Sequence, residues 1–182
     1  MKKIVIHLAD GFEEIEAVTP IDVLRRAGFE VTIVSMNGKK EVAGAHGIAV
    51  VADVLFEEVD YNKADLIILP GGMPGSKNLD NHDGLKSAIR QFNHHGKPIA
   101  AICAAPMVLG HLGILRGKKV TCFPGTEIHL EGSRVTGKAV EVDGNITTGK
   151  GPGAAMQFAL SIVEQFSSAE AAKKLAGQMM VE

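Results

Sequence analysis

Four segments of strand length are apolar along their whole length rather than at alternate positions. They are rich in Val and Ile, end in turn residues, and occupy residues 3–9, 30–36, 64–70 and 98–102. Strands with one face in water alternate apolar and polar residues, whereas strands covered on both faces do not. Helical patterns separate these segments, at about residues 13–27, 84–94, 105–110 and 153–166. The alternation predicts an α/β fold, a three-layer sandwich in which helices cover both faces of a mainly parallel sheet.

The rest of the chain adds shorter elements to this plan. Glycine-punctuated segments at residues 42–52 and 134–148 predict short strands or hairpins, and the alanine-rich tail from residue 167 predicts a last helix. A length of 182 residues is close to that of one ordinary domain, and the chain shows no internal repeat and no linker. We therefore expect a single domain over residues 1–182.

Charge and composition exclude several classes of partner. A formal net charge of −2 gives the chain no overall field that attracts nucleic acid or an anionic membrane. No segment approaches the ~18 apolar residues of a membrane helix. The two cysteines, Cys103 and Cys122, form no CxxC pair, and the seven histidines form no metal-binding motif. We expect a cytoplasmic protein that binds no metal, no membrane and no nucleic acid.

The turn after the first strand carries an acidic cluster, and sites in open parallel sheets lie at such carboxyl ends. Asp10 and Glu13 have the spacing of a capping box, and Glu13 and Glu14 suit the first turn of a helix. Glu16 instead falls on the apolar face of that helix. That face consists of Ala17, Pro20, Val23, Leu24 and Ala27. Because a carboxylate facing a core has a raised pKa unless a donor meets it, Glu16 is either a functional group or a buried structural hydrogen-bonding residue.

The opposite face of the same helix carries two apolar residues, Ile15 and Val18, among charged ones. Isolated apolar residues on a surface are common and need no explanation. These two are either chance or a contact with another subunit.

Cys103 lies between a buried strand and a helix that has Pro106 in its first turn. Small neighbours, among them Ala104, allow a tight turn there, and backbone N–H groups at a helix start stabilise a thiolate. The position resembles the nucleophile elbow of hydrolases, although no GxSxG pattern is present. Cys103 is therefore either a nucleophile or an inert core cysteine.

Two glycine-containing turns could complete a site around Cys103. Gly71 and Gly72 follow the third long strand, where glycine allows backbone N–H groups to approach a developing oxyanion, although such a pair is more often only a turn. The segment containing Pro152 precedes a helix and is either a cap or part of a pocket wall. Neither turn has the sequence of a phosphate-binding loop.

Several of these segments together resemble the DJ-one/ThiJ/PfpI superfamily, and most closely the branch that contains the parkinsonism-associated protein deglycase and its bacterial homologues. The resemblance runs over essentially the whole chain. It rests on LADGFEEIE (residues 8–16), PIDVLRRAG (20–28), LPGG (69–72), AAICAAP (100–106) and GPG (151–153).

The resemblance implies a flavodoxin-like fold, usually in a homodimer that uses the first helix, where Ile15 and Val18 lie. It assigns the nucleophile to Cys103 and its protonated carboxylic acid partner to Glu16. The oxyanion-binding amides of the family correspond to Gly72 and Ala104.

Three positions depart from the family pattern. The family's proteases carry a His directly after the nucleophile, where this chain has Ala104, so peptidase activity is disfavoured. Some relatives have a His near the cysteine where this chain has Phe123, which leaves Glu16 as the main proton-transfer group. An arginine that reaches into the partner's site corresponds to His46, a weaker anion-binding group at neutral pH.

These features predict a cysteine enzyme, without a cofactor, that acts on reactive dicarbonyls or their adducts in the manner of a glyoxalase or protein deglycase. Cys103 would form a hemithioacetal with the aldehyde, and Glu16 would transfer protons. The alternative is a redox-sensing stress protein or chaperone in which Cys103 is oxidised to a sulfinate.

Overall fold

The computed structural model describes residues 1–181, which form a central sheet and two small ones. The strands are β1 (Lys3–Leu8), β2 (Glu30–Ser35), β3 (Glu41–Ala43), β4 (Ala49–Val51), β5 (Val54–Leu55), β6 (Leu66–Leu69), β7 (Ile99–Ile102), β8 (Lys119–Val120), β9 (Arg134–Val135), β10 (Val140–Asp143) and β11 (Ile146–Gly149). The helices are α1 (Glu14–Arg26), α2 (Gly75–Asp80), α3 (Asp83–His94), α4 (Pro106–His111), α5 (Ala155–Phe166) and α6 (Ala169–Gln178).

The central sheet has seven strands in the order β10-β11-β7-β6-β1-β2-β5. Strand β10 is antiparallel to β11, and the other neighbours are parallel. Taken in chain order, the five longer parallel strands follow the 2-1-3-4-5 order of flavodoxin-like folds, whose switch point lies between the first and third strands. The predicted α/β fold and its flavodoxin-like topology are confirmed.

Apolar residues on both faces of each strand build two cores. In β1, Ile4, Ile6 and Leu8 pack in the core under α1, α5 and α6, whereas Val5 belongs to the core under α3 and α4. Because successive side chains of a strand point to opposite faces, a strand covered on both sides needs apolar residues throughout. This requirement explains the uninterrupted apolar segments, which correspond to β1, β2, β6 and β7.

One local expectation needs correction. The carboxylate of Asp10 does not cap α1; it accepts hydrogen bonds from the backbone N–H of Ala43 (3.0 Å) and from the side chain of Asn37. Glu13 alone caps the helix, since its Oε2 accepts from the N–H of Glu16 at 2.8 Å. Asp10 instead ties the β1–α1 turn to the β3 strand.

The sequence did not predict the short helix α2, because its 6 residues after Pro74 are mostly polar and too few to show a helical pattern. The segments at residues 42–52 and 134–148 do form hairpins, β3–β4 and β10–β11, and β11 continues into the central sheet beside β7. Within residues 1–181, none of the helices has the length and apolar character needed to cross a membrane.

Candidate active site

Glu16, Gly71 and Cys103 come together at the switch point of the sheet, after the neighbouring strands β1, β6 and β7. The N–H of Gly71 donates to Glu16 Oε2 at 2.8 Å. A methyl group built on Gly71 would lie 2.5 Å from Glu16 Oε2 and 2.6 Å from Cys103 Cβ. The carboxyl group and the cysteine therefore both pack against Gly71, in space that a side chain at this position would fill.

Cys103 has a left-handed backbone conformation, with φ of +66°. This conformation is uncommon for residues with a Cβ and costs of order 1–3 kcal/mol, so the surrounding structure must impose it. Its N–H donates to the carbonyl of Gly149 at 2.9 Å, and its carbonyl accepts from the N–H of Phe123 at 2.8 Å. These bonds hold the elbow between β7 and α4 from both sides, and such strain is concentrated at functional sites.

The sulfur of Cys103 is enclosed by polar groups with opposing effects. Burial raises the pKa of the Cys103 thiol to about 12, and the neighbouring Glu16 carboxylate acts in the same direction. The backbone N–H groups of Gly72 and Ala104 act in the opposite direction and lower the thiol pKa. The two amides do not by themselves give a low-pKa thiolate while Glu16 is ionised.

Glu16 is completely buried on the inner face of α1, where the helical periodicity placed it. Burial raises the pKa of its carboxyl group to about 7, although the Cys103 side chain and the Gly71 amide favour the ionised form. Within residues 1–181, Oε1 has no partner with hydrogen-bond geometry. A carboxyl group that changes protonation near neutral pH and has one oxygen available beside a thiol is suited to exchange a proton with it.

Replacing Gly71 with Ala should lower the free energy of unfolding by about 1–3 kcal/mol, because the added methyl group overlaps Glu16, Cys103 and the carbonyl of Ile102. Chemical denaturation measures the change. Gly153→Ala is the matched control, since a methyl group there meets no atom within 4 Å. Equal stabilities of the two variants would contradict this packing.

A second acidic residue of α1 has a role that the sequence did not predict. Glu14 is buried and accepts hydrogen bonds from the backbone N–H of His46 (2.6 Å), from the His46 ring (2.7 Å) and, at 3.4 Å, from Ile48. Burial opposes its charge, but these hydrogen bonds outweigh that effect and lower the pKa of Glu14. The same hydrogen bond raises the pKa of His46. In this structure His46 thus anchors the β3–β4 hairpin to its own α1.

Glu13, Glu14 and His46 place possible ligand atoms within 4.8 Å of one another, the arrangement in this region closest to a metal site. Their polar atoms are already engaged, because Glu13 caps α1 and Glu14 binds the His46 ring. The cluster is therefore accounted for by hydrogen bonding within the chain.

Pro152 lines an open cleft of about 560 Å³ beside the cysteine elbow. Its walls come from the Phe123–Pro124 loop and from the start of α5, and Lys150 and Gln157 supply polar groups. Cys103 adjoins the cleft through its hydrogen bonds with Phe123 and Gly149 rather than lining it. Phe123 thus contributes an apolar wall.

The fold and this geometry define a class: flavodoxin-like α/β proteins that hold a strained cysteine at a strand-to-helix elbow against a buried carboxylic acid. The DJ-1/PfpI family model matches residues 2–165, and the chain belongs to this family.

Individual relatives agree with this assignment. Protein DJ-1 homolog B of Arabidopsis thaliana is 40% identical over 99% of this chain, which spans 42% of that relative's length. A deglycase of Pyrococcus abyssi is 34% identical over a region that covers 83% of this chain and 91% of the deglycase's own length. The solved structure of oxidized Toxoplasma gondii DJ-1 matches with a TM-score of 0.94 and 37% identity, covering 99% of this chain and 98% of that one.

Proposed function

We propose that this chain is a cysteine enzyme of the glyoxalase or protein deglycase type, which acts without a cofactor on reactive dicarbonyls or their adducts. The observation that carries the proposal is the buried Glu16 carboxyl group, whose pKa is about 7, directly beside Cys103. Amides of Gly72 and Ala104 directed at the sulfur support it. The deglycase name of the Pyrococcus abyssi relative agrees with this reaction class.

The first step is proton transfer from Cys103 to Glu16, which produces a thiolate next to a neutral acid. This transfer removes the carboxylate charge that raises the thiol pKa, and the two amides then stabilise the sulfur. The thiolate attacks the aldehyde carbon of the dicarbonyl, a C–S bond forms, and the carbonyl electron pair moves to oxygen. Glu16 returns the proton to that oxygen, and the product is a hemithioacetal.

Two further proton transfers through Glu16 complete the reaction. Glu16 removes a proton from the carbon bonded to sulfur and delivers it to the neighbouring carbonyl carbon. The hydroxyl proton passes to that carbon's oxygen, so the hemithioacetal becomes a thioester of a 2-hydroxy acid without net oxidation. Water then hydrolyses the thioester, releases the acid and restores the Cys103 thiol. For methylglyoxal the product is lactate. In a hemiaminal adduct the C–N bond breaks as the C–S bond forms, and the amine leaves with the proton that Glu16 took from Cys103.

Incubation of the protein with methylglyoxal tests this proposal. We expect lactate to form in proportion to the loss of dicarbonyl, without added metal or thiol, and mass spectrometry of trapped protein to locate the adduct on Cys103. A protein that consumes no methylglyoxal, or that forms lactate without modification of Cys103, would contradict the proposed mechanism.

A second candidate function is that of a redox sensor, and the match to an oxidized DJ-1 structure favours considering it. Peroxide would oxidise Cys103 to a sulfinate, and the protonated Glu16 would donate a hydrogen bond to one of its oxygens. Mild peroxide treatment should then add two oxygen atoms to Cys103 and none to Cys122. Fast oxidation together with no turnover of methylglyoxal would favour this function over the enzyme.

We also propose that the chain is a homodimer, with α1 at the interface and His46 near the partner's site. Ile15 and Val18 are 53% and 46% exposed on the outer face of α1. They lie three positions apart on one face of the helix, so packing against a second copy would remove both from water.

Replacing Ile15 and Val18 together with Asp should convert the dimer to a monomer, because two charges would be buried without partners in the interface. Light scattering of the protein as it elutes from a size-exclusion column measures its molar mass. The control, Ile128→Asp, changes an apolar residue that is 82% exposed in another part of the chain and should leave the dimer intact. A monomeric parent protein would end this proposal.

A further inference from the structure

Asp80, His111 and His129 form a polar cluster that the proposed reaction does not use. Asp80 Oδ2 lies 2.9 Å from His111 Nδ1, and His111 Nε2 lies 3.0 Å from His129 Nδ1. The His111 and Asp80 side chains are 40% and 18% exposed, so solvent reaches the cluster. The three residues are separated by up to 49 positions in the chain, and their spacing matches no metal-binding sequence motif.

The fold brings these residues together from three separate elements. Asp80 ends α2, His111 ends α4, and His129 ends the 3-10 turn Glu127–His129. Gly110 permits the closest approach, because a methyl group on it would overlap the carbonyl oxygen of His129. The glycine therefore allows the turn to pack against α4 next to His111.

The hydrogen bonds determine the state of each imidazole ring. A carboxylate only accepts, so Nδ1 of His111 carries the proton that Asp80 binds. In the neutral ring, Nε2 of His111 is then an unprotonated acceptor, and the proton in the contact with His129 belongs to His129 Nδ1. Metal-binding histidines commonly show this arrangement, in which a carboxylate orients one nitrogen and leaves the other for the ion.

We propose that His111 Nε2 and His129 Nδ1 are the protein ligands of a divalent transition-metal ion, with Asp80 as the positioning residue of His111. Their separation of 3.0 Å fits two adjacent ligands at bond lengths of about 2.0–2.1 Å. Imidazole nitrogens favour Cu²⁺, Ni²⁺ and Zn²⁺ over Ca²⁺ and Mg²⁺, which prefer oxygen. On binding, both imidazole rings rotate so that their nitrogen lone pairs face the ion, the His129 proton moves from Nδ1 to Nε2, and water completes the coordination.

The site connects the far ends of two helices whose opposite ends adjoin the cysteine. Helix α2 follows the loop that contains Gly72, and α4 follows Ala104, the two residues whose amides face the Cys103 sulfur. A bound ion would therefore fasten α2 to α4 without entering the site around Cys103.

Zinc titration followed by calorimetry and by ¹⁵N NMR of the imidazole rings tests the proposal. The Cys103→Ser background removes a competing thiol. We expect one Zn²⁺ per chain, with shifts at His111 Nε2 and His129 Nδ1 and transfer of the His129 proton. His111→Gln and His129→Gln should each weaken binding at least about tenfold, and Asp80→Asn about tenfold through loss of the orienting bond.

The double variant His94→Gln/His95→Gln and the single variant His46→Gln are the controls, because each removes exposed imidazoles outside the proposed site. Unchanged affinity in these controls, together with the losses above, supports the proposal. Equal binding by the parent and His111→Gln, loss of binding in either control, or no binding of zinc by the folded parent would overturn it. Circular dichroism of the metal-free variants identifies any that fail to fold, and ring shifts in the parent remain decisive in that case.

Discussion

Replacing Cys103 with Ser should reduce kcat/KM for methylglyoxal by about 10³-fold or more, the largest effect expected of any single substitution in this chain. The serine hydroxyl has a far higher pKa than a thiol, so transfer of its proton to Glu16 is strongly unfavourable. The overall fold should persist, since the side chains differ by one atom and Cys103 is only 8% exposed.

Cys122→Ser is the matched control for this prediction. Cys122 is also buried and forms no disulfide bond. Turnover of methylglyoxal by the Cys122→Ser variant should equal that of the parent. Initial rates with both variants, at equal content of folded protein by circular dichroism, decide the matter; comparable losses in the two would show that general thiol chemistry or misfolding is responsible.

The parallel sheet was predictable because each buried strand needs apolar residues on both faces. This condition marks β1, β2, β6 and β7 directly in the sequence. Strand β11 was less visible, since its sequence Ile-Thr-Thr-Gly uses two buried threonines. Thr148 is satisfied there by the N–H of Thr121, a partner that only the folded chain provides.

In the candidate site, too, some features follow from the local sequence and others depend on residues far apart in the chain. Helical periodicity alone turns Glu16 inward, and the elbow at Cys103 follows from a strand and a helix that meet at small residues. The contact between Glu14 and His46 joins residues 32 positions apart, so the acidic first turn of α1 gave no sign of it. The raised pKa of Cys103 depends on burial, which the apolar strand before it indicates, and on Glu16, which lies 87 positions away in the chain.

Replacing Glu16 with Gln should lower kcat/KM by about 10²–10³-fold, in line with the usual contribution of a general acid–base group. Glutamine keeps the shape of the side chain and can still accept the N–H of Gly71, but it cannot take the proton of Cys103. The pH–rate profile should also lose the ionisation near pH 7. Unchanged turnover in this variant would make Glu16 a structural residue.

The same substitution has a separate effect on stability that follows from the raised pKa. A carboxyl group with a pKa of about 7 in the folded chain and 4.5 in the unfolded chain binds its proton more tightly when folded. This proton binding therefore stabilises the folded state fully below pH 4.5, and the stabilisation is lost as the pH rises through 7. The total loss is about 3 kcal/mol. Because glutamine does not ionise, Glu16→Gln should remove this pH-dependent loss of stability.

Buried His7 has the opposite pH dependence, because burial lowers its pKa to about 4, and stability is lost as the pH falls below 6.5. The two effects overlap in the wild-type protein, so its pH dependence alone does not isolate Glu16. The difference in unfolding free energy between Glu16→Gln and the parent cancels the His7 contribution. Measured by urea denaturation from pH 4 to pH 9, this difference should shift in favour of the variant by about 3 kcal/mol. A difference independent of pH would show that Glu16 has an ordinary pKa and is not poised to exchange a proton with Cys103.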